Sequence, residues 1–142
     1  MDSTELASAL RTAISTLHKG FRKHMAAANV YSMTELQTIS NIYRSPNMLP
    51  TELAALAHIT PQSMSQILSK LEEQDLIKRV PSTSDKRKVF ISITAAGKKL
   101  VEKTRLEGDA WLNEAIESTL TAKDKEQLLK TLPVLHKLIE VL

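Results

Sequence analysis

The sequence predicts a mainly α-helical fold carrying one small β-hairpin. Three observations lead there. Apolar residues recur at intervals of three and four along most of the chain. That spacing changes to two only after Leu76-Ile77, on either side of a charged tip. The 142 residues are 42% hydrophobic but only 4% aromatic, with three glycines. A core of Leu, Ile, Val, Met and Ala, poor in glycine, suits helices packed on helices, and this length makes one domain.

The elements follow in order. Leu6, Leu10, Ile14, Leu17, Phe21 and Met25 form the stripe of one long amphipathic helix, interrupted near Asn29. Thr34 and Gln37 have the spacing of a capping box that would open a second helix. Leu36, Ile39, Ile42 and Tyr43 supply its buried face until Pro46 stops it. Pro50 suits the first turn of a short third helix, where Leu53, Leu56 and the alanines between them make a small, packable face. Thr60-Pro61 opens a fourth by the same logic, with Met64, Ile67, Leu68 and Leu71 as its apolar stripe. The alternating segments "KRV" and "VFISIT" read as two strands joined by "PSTSDKRK". Thr94 caps a long helix marked by Leu100, Val101, Thr104, Gly108, Trp111, Leu112, Ala115 and Ile116. Thr121 and Asp124 start the last one, along which Leu128, Leu132, Leu135, Leu138 and Leu142 run almost in heptads. Pro133 should kink that helix or open it locally.

The wide apolar stripes of the end helices exceed what a 142-residue monomer readily covers. They are expected to pack against a second copy, in a homodimer, rather than close into an intramolecular bundle. No apolar run approaches the ~20 residues of a membrane span, and no membrane association is expected. "MDSTELASAL" lacks a basic segment followed by an apolar run, so no secretory leader is expected and the cytoplasm is the expected compartment. The absence of cysteine removes disulfides, thiolate nucleophiles and thiol switches.

Charge is unevenly placed. Between Lys78 and Arg105 nine cations face only Asp85 and Glu102, so this segment carries +7. The whole chain carries +3, leaving −4 for the remainder. A positive zone on a weakly acidic body suits a polyanion.

Residues 51–74, "TELAALAHITPQSMSQILSKLEEQ", set a small-faced helix, a tight turn and a second helix with a polar outer face in the pattern of a helix-turn-helix. Thr60, Gln62, Ser63, Ser65, Gln66 and Ser69 have short polar side chains able to bond base edges, and Lys70 can reach phosphate. Taken alone, the segment could equally be a helical hairpin with a solvated face. The basic hairpin that follows, with Asp85, Lys86, Arg87 and Lys88 at its tip, shifts the reading to a wing, because arginine suits the narrow, negative minor groove. A merely solvated charged turn is the bland alternative.

The segments "LPTELAALAHITPQSMSQILSKLEEQDLIKR" and "DKRKVFISITAAGKKL" resemble the MarR family of bacterial winged helix-turn-helix regulators, and the likeness extends over essentially the whole chain. The positions that carry the wing signature are Asp85, Arg87, Ile93-Thr94 and Gly97. The resemblance implies a single domain over 1–142, with a winged helix-turn-helix at about 34–94 and dimerisation helices at about 3–28 and 95–142. It implies that Arg87 enters the minor groove, that Asp85 braces the wing by ion pairing, and that Lys86 and Lys88 serve the DNA backbone. It implies a ligand-responsive repressor on double-stranded DNA with a pseudo-palindromic operator. Two departures matter. Many relatives carry Arg where Gln66 stands, and glutamine pairs best with adenine. A common glycine is Asp75 here, which tolerates a left-handed helix end.

Relatives that sense small molecules take phenolic or aromatic carboxylates between the DNA-binding lobe and the dimer helices. The resemblance points to Arg22 for a carboxylate, with Tyr31, Tyr43 and Trp111 as walls; simple helix packing explains each of these equally. His18, His24, His58 and His136 do not form a ligand set at helical spacing, so neither metal nor cofactor is expected. No nucleophile elbow, Walker loop or zincin motif occurs, which argues against an enzyme. An architectural DNA-binding protein that senses nothing is the other reading.

Overall fold

A computed structural model describes residues 1–142. Its elements are α1 (Ser3–His24), a 3-10 turn (Ala26–Asn29), α2 (Met33–Arg44), α3 (Pro50–Ala57), α4 (Pro61–Glu73), β1 (Ile77–Pro81), β2 (Val89–Ile93), α5 (Ala95–Thr119) and α6 (Ala122–Ile139). The mainly helical class with a single hairpin is as the sequence predicts. Asp2, Thr60, Thr94 and Thr121 each cap a helix by accepting the backbone N–H three residues on. The opening of α2 differs from expectation. Its box is Ser32–Glu35, not Thr34–Gln37: Ser32 accepts the Glu35 amide at 3.1 Å, and Glu35 accepts the Ser32 amide at 3.1 Å. A carboxylate is favoured over a neutral amide at the positive end of a helix, so the helix starts two residues early. Thr34 lies inside the first turn, its carbonyl accepting the Thr38 hydroxyl at 2.7 Å.

The core lies between α2, α3, α4, the hairpin and the start of α5. Ile39, Ile42, Leu53, Ala54, Met64, Leu68, Leu71, Ile77, Ile91 and Val101 form it. Leu56 is not part of it and is 52% exposed. On so short a helix the packed face is Leu53, Ala54 and Ala57, and Leu56 lies roughly 100° around from its centre.

Both helix ends in the helix-turn-helix use left-handed residues that are not glycine. His58 has φ 55° and Asp75 has φ 59°. After α3, Ile59 N–H bonds the Ala54 carbonyl and His58 N–H that of Ala55, at 3.1 and 3.2 Å. After α4, Leu76 N–H bonds Leu71 and Asp75 N–H bonds Glu72, both at 3.0 Å. These are Schellman closures, each fixing its exit angle with an apolar residue, Ile59 or Leu76, turned back onto the core. Asp75 thus takes the helix end expected of it.

The antiparallel strands pair Ile77 with Ile93, Arg79 with Ile91 and Pro81 with Val89. Ile91 N–H also bonds the Met48 carbonyl at 2.9 Å, tying the hairpin to the α2–α3 connection. Thr94 joins hairpin to helix: its hydroxyl donates to the Asp75 carbonyl at 2.5 Å and accepts the Gly97 amide at 3.1 Å. A Cβ on Gly97 would stand 2.2 Å from the Leu76 carbonyl oxygen, so only glycine lets α5 start this close to the hairpin.

Beyond the start of α5, the long helices lie outside this core. Neither α1 nor α6 buries a residue. Where α1 meets α5, Trp111 packs edge-on to Phe21 and stacks on His24, with centroids 5.0 and 5.2 Å apart. A Cβ on Gly20 would lie 2.4 Å from that indole. α6 runs through Pro133 as one helix.

Candidate nucleic-acid interface

The apolar stripe of α4 fixes what its other face can do. With Met64, Leu68 and Leu71 fully buried, Gln62, Ser63, Ser65, Gln66 and Ser69 are held outward on a rigid support. At the start of the helix Thr60 donates its hydroxyl hydrogen to Ser63 Oγ at 3.0 Å while accepting the Ser63 amide. The Thr60 side chain is thus committed to capping, whereas Ser63 keeps a donor to offer. Gln62, Ser65, Gln66 and Ser69 form the free polar surface.

Lys70 departs from the sequence reading. Its Nζ lies 2.7 Å from Glu35 Oε2 and 3.1 Å from Oε1, and 5.4 Å from the centre of the Tyr31 ring. The Tyr31 hydroxyl in turn donates to Gln74 Oε1. The ammonium is turned back onto the start of α2 rather than held out toward phosphate. Burial pushes the Glu35 carboxyl up, but hydrogen bonds from Lys70 and Ser32 outweigh that and hold it below its ordinary value.

The wing is closed by its own polar groups. Ser82 N–H bonds the Lys88 carbonyl at 2.9 Å, and Lys88 N–H bonds that of Asp85 at 3.0 Å. Ser82 Oγ accepts the Asp85 amide at 3.2 Å. Asp85 Oδ1 accepts both the backbone amide of Arg87, at 3.0 Å, and its Nε, at 3.2 Å. The ion-pair partner of Asp85 is thus Arg87 itself, whose side chain remains 91% exposed. The Arg87 guanidinium, then the Arg87 amide, keep the Asp85 carboxyl below the usual carboxylate range. Lys86 and Lys88 are exposed beside it. Ser82 was overlooked by sequence reasoning; a serine opening a seven-residue loop is the signal that could have found it.

The four residues assigned to a ligand do not converge. Arg22 is exposed in the last turn of α1. Tyr31 belongs to the Lys70 cluster. The Tyr43 hydroxyl donates to Glu102 at 3.1 Å under the Arg105 guanidinium, and Trp111 is engaged by Phe21 and His24. The cleft between lobe and long helices is lined instead by His18, Met25, Met33, Leu36, Gln37, Ser40 and Thr104. Gln37, Ser40 and Thr104, polar residues beside apolar stripes, were the available signal. No three His, Asp or Glu side chains come together as metal ligands.

Comparison with known proteins bears on this arrangement. The MarR family model matches residues 31–89, which run from Tyr31 to the second strand. The homoprotocatechuate degradative operon repressor of Escherichia coli is 30% identical over 100 residues, covering 69% of this chain and 67% of the relative. The chain belongs to the MarR family. As a MarR-family protein it is a DNA-binding transcriptional regulator and not an enzyme. An HTH-type transcriptional regulator of Mycobacterium tuberculosis is 26% identical over 95% of this chain and 93% of its own length. Among solved structures, a proposed transcriptional regulator from Pseudomonas aeruginosa overlays with a TM-score of 0.84 at 25% identity, covering 96% of each chain. Streptococcus pneumoniae FabT, in complex with DNA, overlays with a TM-score of 0.72 at 20% identity over 98% of each chain. The fold shared with these structures includes the end helices as well as the lobe. No helix is long and apolar enough to cross a membrane.

Proposed function

We propose that this MarR-family chain is a cytoplasmic homodimeric repressor that binds a pseudo-palindromic operator and is released by a small aromatic or phenolic effector. The carrying observation is that one rigid lobe presents both the free polar face of α4 and the exposed Arg87 of the wing. In this reading 1–142 acts as one unit, with about 34–94 as the DNA-reading part. Gln62, Ser63, Ser65, Gln66 and Ser69 read base edges in the major groove, and Arg87 enters the flanking minor groove. Lys86 and Lys88 meet phosphates. Asp85 holds Arg87 ready and exchanges it for DNA.

The dimer reading rests on Leu6, Ile14 and Leu17 of α1 and Leu128, Leu132 and Leu138 of α6, all exposed in one chain. Pairing these stripes would cover them and set two copies of α4 in successive major grooves about 34 Å apart. The effector reading draws support from the E. coli relative, whose name refers to the operon that degrades a phenolic acid. Its natural seat is the cleft at Gln37, Ser40 and Thr104, where binding would bias the lobe against the long helices. Arg22, Tyr31, Tyr43 and Trp111 would then act on that cleft through packing.

Fluorescence anisotropy on DNA from upstream of the gene, against scrambled DNA, tests this. We expect preference for the former, weakened broadly by Arg87→Ala. Gln66→Ala should relax choice at one base pair by about 1–3 kcal/mol. Equal, salt-labile binding to both DNAs that no aromatic acid alters would instead favour the architectural reading.

A further inference from the structure

Lys70 is the only cation on α4. Its surroundings are more specific than a surface ion pair requires. Glu35, whose side chain is only 11% exposed, uses one carboxylate for two purposes: it caps α2 through the Ser32 amide and receives Lys70 on both oxygens. Apart from that pair, Glu35 Oε2 has no hydrogen-bond partner. Removing Lys70 would thus leave a buried anion uncompensated beside the polar face of α4, with Ser63 and Gln66 lining the same cleft. One turn further along, Gln74 accepts the hydroxyl of Tyr31, whose ring faces Lys70.

The α2 side of this cluster is itself tied to the long helices. Tyr31 N–H bonds the Ala27 carbonyl at 2.8 Å, and Ala26 N–H bonds Glu107 Oε2 of α5 at 2.9 Å. A continuous set of polar contacts thus runs from α5 through the 3-10 turn to the second half of α4.

We propose that Lys70 is a positioning residue, clamped by Glu35 and Tyr31 so that it fixes the set of α4 on the start of α2, and that α4 enters DNA with neutral side chains only. This rests on the DNA-binding reading above and replaces the phosphate contact that the sequence suggests for Lys70. The electrostatic attraction then comes from the wing, and α4 contributes choice of sequence.

A salt titration of DNA binding separates the two roles. Removing one lysine–phosphate interaction flattens the dependence of log K on log salt by about 0.9. For a clamp, Lys70→Met lowers operator affinity about tenfold at every salt concentration and leaves the slope unchanged. Lys70→Arg restores affinity, and Glu35→Gln combined with Lys70→Met weakens binding no more than either alone. Arg87→Ala, measured alongside, lowers the slope. A slope that falls by about 0.9 per protomer in Lys70→Met, or additive effects in the double variant, overturns the proposal. Lys70→Gln gives the same slope reading should the methionine variant fold poorly. Carbon-13 titration of Glu35 provides an arm without DNA. Lys70→Met should raise its midpoint, and a midpoint that does not move also overturns the clamp. Wild-type protein that binds no DNA at low salt would undo the DNA-binding reading itself, whereas these outcomes bear on Lys70 alone.

Discussion

Glu35 illustrates how much one buried side chain can decide. Its carboxyl is harder to protonate in the folded chain than in the unfolded one, because the bonds from Lys70 and Ser32 outweigh the cost of burial. A lowered folded value means the unfolded state takes up the proton first as pH falls. The stabilisation is therefore complete above the ordinary glutamate value of about 4.3 and disappears as pH drops through the lowered one. Chemical denaturation over a falling pH series should show a wild-type advantage over Glu35→Gln that is full at pH 7 and shrinks as pH drops below about 4.3. An advantage that stays constant throughout the series would mean that shape rather than charge matters at this position. Asp85 shares the direction of shift but sits at an exposed tip, where solvent screens the pair. Its contribution is to geometry. The resemblance implies an ion-pairing role for Asp85, and in the structure its partner is Arg87, two residues on. Sequence reasoning missed Glu35–Lys70 because those partners lie 35 residues apart and no period links them.

At the scale of elements, the junction between hairpin and α5 leaves no room for a side chain at Gly97. The position a methyl group would take on Gly97 is filled by the Leu76 carbonyl and by Ile93 Cγ1, 2.7 Å away. Gly97→Ala should push α5 from the hairpin and cost about 1–3 kcal/mol in urea denaturation. It should also weaken DNA binding, because the wing is anchored through Thr94. A neutral result would show that the joint yields. The elements themselves were legible: periodicity and Thr or Pro signals located all six helices and both strands. Boundaries failed where two signals competed, as at Ser32 against Thr34. Leu56 was misassigned because an eight-residue helix gives too few turns for a stripe to define its centre. The left-handed His58 was invisible because glycine, the usual marker of such a turn, is absent.

At the scale of the molecule, the lobe has its own core while α1 and α6 bury nothing. Their unsatisfied stripes were readable as amphipathic helices; how they meet a partner was not, since that depends on a second surface. In the dimer reading, Leu132→Glu in α6 should yield monomers by sedimentation and lower operator affinity more than tenfold, since one copy engages only one half-site. Unchanged sedimentation would place the contact elsewhere. The joint between α1 and α5 also has an optical consequence. Trp111 is the only tryptophan in the chain, so its emission comes from one place, the indole wedged against Gly20 and His24. The protein therefore carries a built-in fluorophore at its shoulder. A spectral change on adding operator or an aromatic acid would report that the arms move relative to the lobe, and a constant spectrum would mean that they travel as one body.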